Sequence, residues 1–322
     1  MARLCGEQLS LSMKLDFPFR KRTSEGWLAV WLSEGNARFA HVKPGARPAV
    51  LSLEEREWDA ADPKALERVT KQVHASRYRC TTLLAQSDYQ ILLVEAPNVK
   101  PDELKAAVRW RIKDMIDYHL HDATIDVLDV PAIAAPQRPA TMYVVSTKNQ
   151  TVQQLVDRFD AARIPLTVID IPDTAQRNIA ALYESPQRAL LTASFDIDGG
   201  LITITSGGEL YVSRRLDIGY AQVNGEERER AFDRVLVEVQ RSLDHFERNF
   251  SQLTVERVLL APMAQSEALV THLAANLQLP VAAMELVDVM DLPPVYLAAP
   301  ADVRARWFRL IGAGLRVEER VL

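Results

Sequence analysis

The stretch FDIDGGLITITSGGELYVSRRLDIG, residues 195–219, holds Gly199, Gly200, Gly207, Gly208 and Gly219 of the 12 glycines in a 322-residue chain. Asp196 stands just ahead of the Gly199-Gly200 pair. Glycine is needed where the backbone takes a positive φ or approaches a ligand closely. Backbone N–H groups in such a turn can point at phosphate oxygens, and a neighbouring carboxylate can orient a hydrated divalent cation. These residue types therefore suggest a phosphate-cradling hairpin begun by Asp196. The other reading is a hairpin that uses its glycines only to turn.

Other residues of chemical type carry less. Asp117-Tyr118-His119-Leu120-His121-Asp122 has the composition of a metal site, but an i,i+2 spacing at a helix end sends the two imidazoles to different sides. A solvated helix end with histidine near its negative pole fits better, and no metal ligands are assigned. No Gly-x-Ser-x-Gly elbow, P-loop or Gly-x-Gly-x-x-Gly fingerprint occurs, so no catalytic residue is named. Arg214-Arg215 and the run Glu226–Arg230 read as solvated faces. Arg109, Trp110, Arg111 and Lys113 set an indole among cations, which suits a recognition anchor; packing of Trp110 on a neighbouring subdomain is the alternative. The run Ile91-Leu92-Leu93-Val94 reads as a core strand, or as a site for strand addition by a partner if it lies at a sheet edge.

The elements that position these residues follow from periodicity. Residues 27–42 read as two strands about a turn at Ser33-Glu34-Gly35-Asn36. A polar stretch follows, then a helix from about Pro63 to His74 with Asp62 as N-cap. Residues 80–97 give a strand, a Ser87-Asp88 turn and a second strand. Pro101 and Asp102 open a helix running to Tyr118, with a stripe of Leu104, Val108, Ile112, Met115 and His119 and with Ile116 beside it. Strands at 124–131, 141–147 and 166–172 and helices at 149–163 and 173–184 follow, with a break at Gln137-Arg138-Pro139. After Ser185-Pro186-Gln187 the arrangement starts again. A strand at 189–196 leads to a hairpin of 201–206 and 209–216 and a long helix over 226–250, then a strand at 255–262, a helix at 264–277, a strand at 280–287 and a helix at 302–315. The expected organisation is a basic N-terminal segment (1–25), a first α/β lobe (26–185) with an inserted subdomain at about 97–160, and a second lobe (186–322).

Composition sets the class. Hydrophobic residues make up 48% and charged residues 25%, as in an ordinary globular protein with a real core. A net charge of −5 argues against nucleic acid as the main partner. Cys5 and Cys80 are too few for a disulfide framework and are not spaced as metal ligands, which fits a reducing, cytoplasmic setting. No run approaches the ~18 apolar residues of a spanning helix. Lys14, Arg20, Lys21 and Arg22 around Phe17 and Phe19 read as a basic tail, with peripheral attraction to an anionic membrane as the sharper alternative. Met13 is an alternative start to Met1.

Three segments carry a resemblance: residues 83–131, with Arg109-Trp110-Arg111-Ile112-Lys113-Asp114 at their core, the glycine-bearing stretch 195–219, and residues 237–262; the closing LIGAGLR at 310–316 also matches. In order and kind they resemble the PilM family of type IV pilus biogenesis proteins, and more narrowly its MshI-type branch from the mannose-sensitive haemagglutinin (MSHA) pilus system. The resemblance implies a two-lobed actin-like, ribonuclease-H-like ATPase fold with an inserted subdomain in the first lobe. It implies a cytoplasmic protein at the inner face of the inner membrane. It implies a groove beside the inserted subdomain that takes the cytoplasmic tail of a bitopic assembly protein of the PilN or MshJ kind, with the assembly ATPase as a further contact. On this reading Ile91, Leu93, Arg109, Trp110 and Lys113 are the partner-binding candidates.

PilM-type members also hold ATP between the lobes, and the resemblance locates the corresponding positions. The family's Asp-x-Gly of the first hairpin falls on Trp31-Leu32-Ser33 if Arg38 takes the usual basic place, and Gly35 and Asn36 still permit the turn. In the second hairpin Asp196 is kept, the following glycine is Asp198, and Gly199 and Gly200 lie one residue on. A second carboxylate there repels a triphosphate unless a cation intervenes. The glycine pair of the third loop is replaced within Leu260-Ala261-Pro262-Met263. The expectation is a degenerate nucleotide site at Ser33, Gly35, Asn36, Asp196, Gly199 and Gly200, no cofactor, and a binding protein rather than an enzyme. The alternative is an active ATPase or ATP-dependent switch.

Overall fold

The computed structural model describes residues 25–62, 64–131 and 139–317. The expected basic tail, Pro63 and most of the Gln137-Arg138-Pro139 break lie outside them. Strands β1 (Trp27–Ser33) and β2 (Asn36–Lys43) form an antiparallel hairpin. The stretch after it, expected to be polar connection, is instead a third strand, β3 (Ala49–Glu57), antiparallel to β2. Its outer half is Glu54-Glu55-Arg56-Glu57, and an edge strand tolerates such charge because one side faces solvent. Helix α1 (Ala65–Gln72) then leads to β4 (Arg79–Leu83), which lies parallel to β1. Asp62 starts α1 by accepting the N–H of Lys64 at 2.9 Å, although the N-cap is Lys64 itself.

The chain then builds a separate small sheet before returning. Strand β5 (Tyr89–Glu95), helix α2 (Pro101–Ile112), β6 (Ala123–Asp129) and β7 (Thr141–Lys148) give a sheet of order β5-β7-β6 with α2 on one face. Helix α2 ends at Ile112, six residues short of the expected end. Its buried stripe therefore turns to Ile116, leaving Met115 and His119 exposed. Helix α3 (Asn149–Ala161) and β8 (Leu166–Asp170) complete the first lobe as a sheet of order β3-β2-β1-β4-β8.

Helix α4 (Pro172–Ala180) crosses to the second lobe, where β9 (Ala189–Asp196), β10 (Gly199–Ser206) and β11 (Glu209–Leu216) form a meander. A short α5 (Tyr220–Asn224), not expected from the sequence, precedes the long α6 (Arg228–Asn249). Strand β12 (Val255–Leu260), helix α7 (Ser266–Asn276) and β13 (Val281–Ala283) finish a sheet of order β11-β10-β9-β12-β13. The expected strand at 280–287 is thus only three residues long, because Leu286–Asp288 curls into a 3₁₀ turn. A short α8 (Pro294–Leu297) leads to α9 (Ala301–Gly314). Each five-stranded sheet is an antiparallel meander of three strands followed by two parallel ones, the same plan used twice.

Burial explains the element choices. Leu28, Val30 and Leu32 of β1 enter one core and Ala29 enters another, so the strand is apolar on both faces. Helix α6 buries Phe232, Val235, Val239, Leu243 and Phe246, the expected stripe, against the meander. The chain passes between lobes through α4, packed on the second sheet, and α9, packed on β1, β2 and β4 of the first. The two helices pack directly against each other. A Cβ at Gly312 would run into the carbonyl of Ala175, and one at Gly314 would lie 2.6 Å from Val42 Cγ2. Gly312 thus lets the backbones of α9 and α4 meet, and Gly314 makes room for the Val42 side chain of β2.

Candidate functional site

The first hairpin closes through the pairing of Ser33 with Asn36, and Gly35 takes φ 79°. Ser33 Oγ donates to Asn36 O at 3.3 Å, and Trp58 N–H donates to Gly35 O at 3.0 Å. Trp31 packs against the core that includes Ala29, Ala40, Ala175 and Ile179. Arg38 lies directly across the ladder from it, its guanidinium carbon 4.3 Å from the indole centroid and its Nε 2.9 Å from Glu55 Oε1. The inward face of this hairpin is therefore an indole capped by an already neutralised cation.

The second hairpin is tighter than expected: Asp196 pairs with Gly199 around Ile197-Asp198, and Gly199 takes φ 125°. A Cβ on Gly199 would lie 2.8 Å from Leu216 O, and one on Gly200 would lie 2.9 Å from Ile218 O. Close approach of the chain leaving β11 thus accounts for both glycines. Asp196 Oδ1 accepts its own turn's Ile197 N–H at 2.8 Å, and Oδ2 lies 3.6 Å from Arg309 Nη1. Arg309, nearly buried on α9, also donates to Ser194 Oγ at 3.3 Å. Partial burial and the nearby Asp196 push the Asp198 carboxyl above the usual range, and Arg309 relieves this only in part.

The loop after β12 is filled by its own side chains. Ala261 donates its N–H to Ala193 O at 2.8 Å, and Ala261 and Met263 are buried in the two main cores. A groove of about 460 Å³ lies between the end of β11 and α6, lined by Arg215, Asp217, Arg234, Val237 and Arg241 among others. None of Ser33, Gly35, Asn36, Asp196, Gly199 or Gly200 lines it.

The partner-binding candidates lie on two different surfaces of the small sheet. Strand β5 is an edge strand, so the run Ile91–Val94 is both core on its faces and open along one side. Leu92 and Val94 face α2, whereas Ile91 packs toward the main core; alternation places Leu93, 41% exposed, with Ile91. Trp110 projects from the outer side of α2 at 72% exposure, with Lys113 exposed near it. Arg109 is half-buried and donates to Leu120 O at 2.6 Å and Ala123 O at 3.2 Å, closing the connection from α2 to β6.

A buried polar junction that the sequence reading missed ties this sheet to the rest. Asp173, fully buried on α4, accepts hydrogen bonds from Tyr89 of β5 and Ser213 of β11. Burial, and then the Asp173 charge, hold the Tyr89 hydroxyl well above its ordinary pKa. Tyr143 of β7 donates to Tyr211 O and accepts from Ser213 N–H, both at 3.1 Å. Arg215, expected on a solvated face, instead stacks 3.9 Å over Tyr89 and donates to Gln86 O and to Tyr89 O at 2.8 Å. The available signal was polar: Asp173, Thr174 and Gln176 open a short helix whose first turns are wholly buried.

No family model and no curated protein matches the chain. Solved structures do. A chain of the PilM–PilN type IV pilus biogenesis complex is similar at a TM-score of 0.65 and 18% identity, over 92% of this chain and 100% of that one. The cytoplasmic domain of EpsL, an inner-membrane component of the type II secretion system of Vibrio cholerae, gives 0.48 at 15% identity, over 89% and 93%. A Bacteroides thetaiotaomicron protein with an actin-like ATPase fold gives 0.48 at 12%, over 83% and 93%. No helix among the described residues is long and apolar enough to cross a membrane. Two sheets of one plan, joined by a pair of packed helices and carrying a third small sheet, make this chain a mixed α/β protein of the actin-like ATPase fold.

Proposed function

We propose that the chain is a non-catalytic adaptor of a type IV pilus assembly platform, of the MSHA kind, working at the cytoplasmic face of the inner membrane. The observation that carries this reading is the likeness to a chain of the PilM–PilN complex over 92% of this chain and 100% of that one. The partner is the cytoplasmic segment of a bitopic inner-membrane protein of the PilN or MshJ kind, docking on the small sheet along the open edge of β5. The nucleotide site is degenerate. Trp31 stands where the first hairpin's acid belongs, Arg309 already faces Asp196, and Met263 fills the third loop. A hydrolysing relative needs oriented carboxylates and open glycine turns at these places. The retained Asp196-to-Gly200 turn favours the second reading, a nucleotide switch.

Two measurements test the proposal. Affinity capture of the tagged chain from membranes should recover a bitopic assembly protein, and peptides from its cytoplasmic tail should bind saturably. A fluorescent ATP analogue with magnesium should show no saturable micromolar binding. Micromolar binding would move the reading to the switch, and recovery of only soluble metabolic enzymes would remove the pilus assignment.

A further inference from the structure

The lobes are covalently joined only through α4 and the return through α9, and lobes so connected are free to shift unless other contacts hold them. Besides the apolar cores that the two sheets share, two arginines make such contacts at the surface and beside the second hairpin. Arg47, in the connection between β2 and β3, reaches the segment that follows β13. Its Nε lies 2.7 Å from Asp291 Oδ1, Nη1 donates to Asp288 O at 3.2 Å, and Nη2 donates to Val287 O at 2.9 Å and Met290 O at 3.3 Å. Beside it, Val50 N–H donates to Asp291 O at 2.8 Å and Asp291 N–H to Pro48 O at 2.9 Å, a parallel bridge between the lobes. A single exposed ion pair is worth little. Here one planar fork is spent on four acceptors flanked by two backbone bonds, a geometry that lysine cannot reproduce.

Arg309 makes the other contact. It rides on α9, which packs on the first sheet, and its guanidinium faces Asp196 and Ser194 of the second lobe's hairpin. Seven residues on, Arg316 pairs with the buried Asp170 at the end of β8 at 3.0 Å. The α9 segment is thus pinned to the second lobe at one point and to the first at another.

We propose that the Arg47 and Arg309 clasps lock the two lobes in one arrangement, so that the chain sets its own lobe spacing without a bound ligand. The lock does not depend on which partner the small sheet takes.

Hydrogen exchange and small-angle scattering of the full chain test it, comparing Arg47→Ala, Arg309→Met and the double variant, with Arg230→Ala as a surface control. Arg47→Ala should raise exchange about tenfold or more in residues 48–51 and 287–291, and Arg309→Met should do so in 194–200. The double variant should do both and scatter as a larger particle, whereas the control should match wild type. A double variant with wild-type circular dichroism, exchange and scattering would overturn the lock. If the double variant does not fold, Arg47→Lys decides: raised exchange at 287–291 supports the clasp, and wild-type exchange there refutes it. Wild-type protein should scatter identically with and without magnesium ATP, and compaction on adding nucleotide would refute the lock even if the adaptor reading stood.

Discussion

At the scale of single residues, the second hairpin gathers two carboxylates and one guanidinium in a turn of two residues. Asp198 bears the cost, since its carboxyl is held above its ordinary range by partial burial and by Asp196. A carboxyl with a raised folded-state pKa binds its proton longer in the native state. Stability from this group is therefore full below the unfolded value of 3.8 and falls as pH rises through the folded one. Asp198→Asn should then be more stable than wild type near neutral pH, with the advantage fading as pH falls below the ordinary carboxylate range. Urea midpoints across pH check this, and a constant offset at every pH would exclude a titration effect. Gly312 gives a second prediction. In a typical helix Gly→Ala gains about 1 kcal/mol. Here the new methyl meets the backbone of Ala175, which cannot swing aside as a side chain can. Gly312→Ala should destabilise by about 1–3 kcal/mol in denaturant titration.

At the scale of elements, β5 and α2 divide the sequence's candidate surface in two. An added strand on β5 would lay side chains beside Leu93, while Trp110 stands on the far side of α2. Leu93→Asp should therefore weaken binding of the partner's tail peptide at least about tenfold in anisotropy titrations, and Trp110→Ala should leave it nearly unchanged; the reverse result would place the docking surface on α2. Repeated strands and the α6 stripe were legible in the sequence because periodic burial writes them directly. Strand β3 was not, because its outer half is Glu54-Glu55-Arg56-Glu57 and only Val50 and Leu53 of its inner half enter the core, too short a pattern to mark a strand. The end of α2 was missed because Asp114 and Asp117 break no helical period, although the chain turns after Ile112. The three hairpin and loop positions of the candidate nucleotide site could be located from residue types and order. Arg309, the group facing Asp196, could not, because it lies 113 positions further along the chain and only folding brings the two together.

At the scale of the molecule, the question is whether two similar lobes behave as two units or one. One apolar core holds Leu28, Val30 and Phe39 of the first sheet together with Leu191, Ala193 and Ile202 of the second. The other joins Ala29 and Val42 to Leu190, Leu259 and Met284 through α4 and α9. Neither core lies within one lobe, and the Asp173 junction adds buried hydrogen bonds that would be orphaned by separation, at about 1–3 kcal/mol for each group left unpaired. Unfolding one lobe alone would expose half of each shared core. The chain also supplies its own reporter: all five tryptophans, at positions 27, 31, 58, 110 and 307, lie in the first lobe or on α9. Fluorescence therefore follows that half, while far-ultraviolet circular dichroism follows both. Equilibrium denaturation should give coincident midpoints and slopes by the two probes. A fluorescence transition displaced from the circular dichroism transition would mean that the shared cores do not couple the lobes.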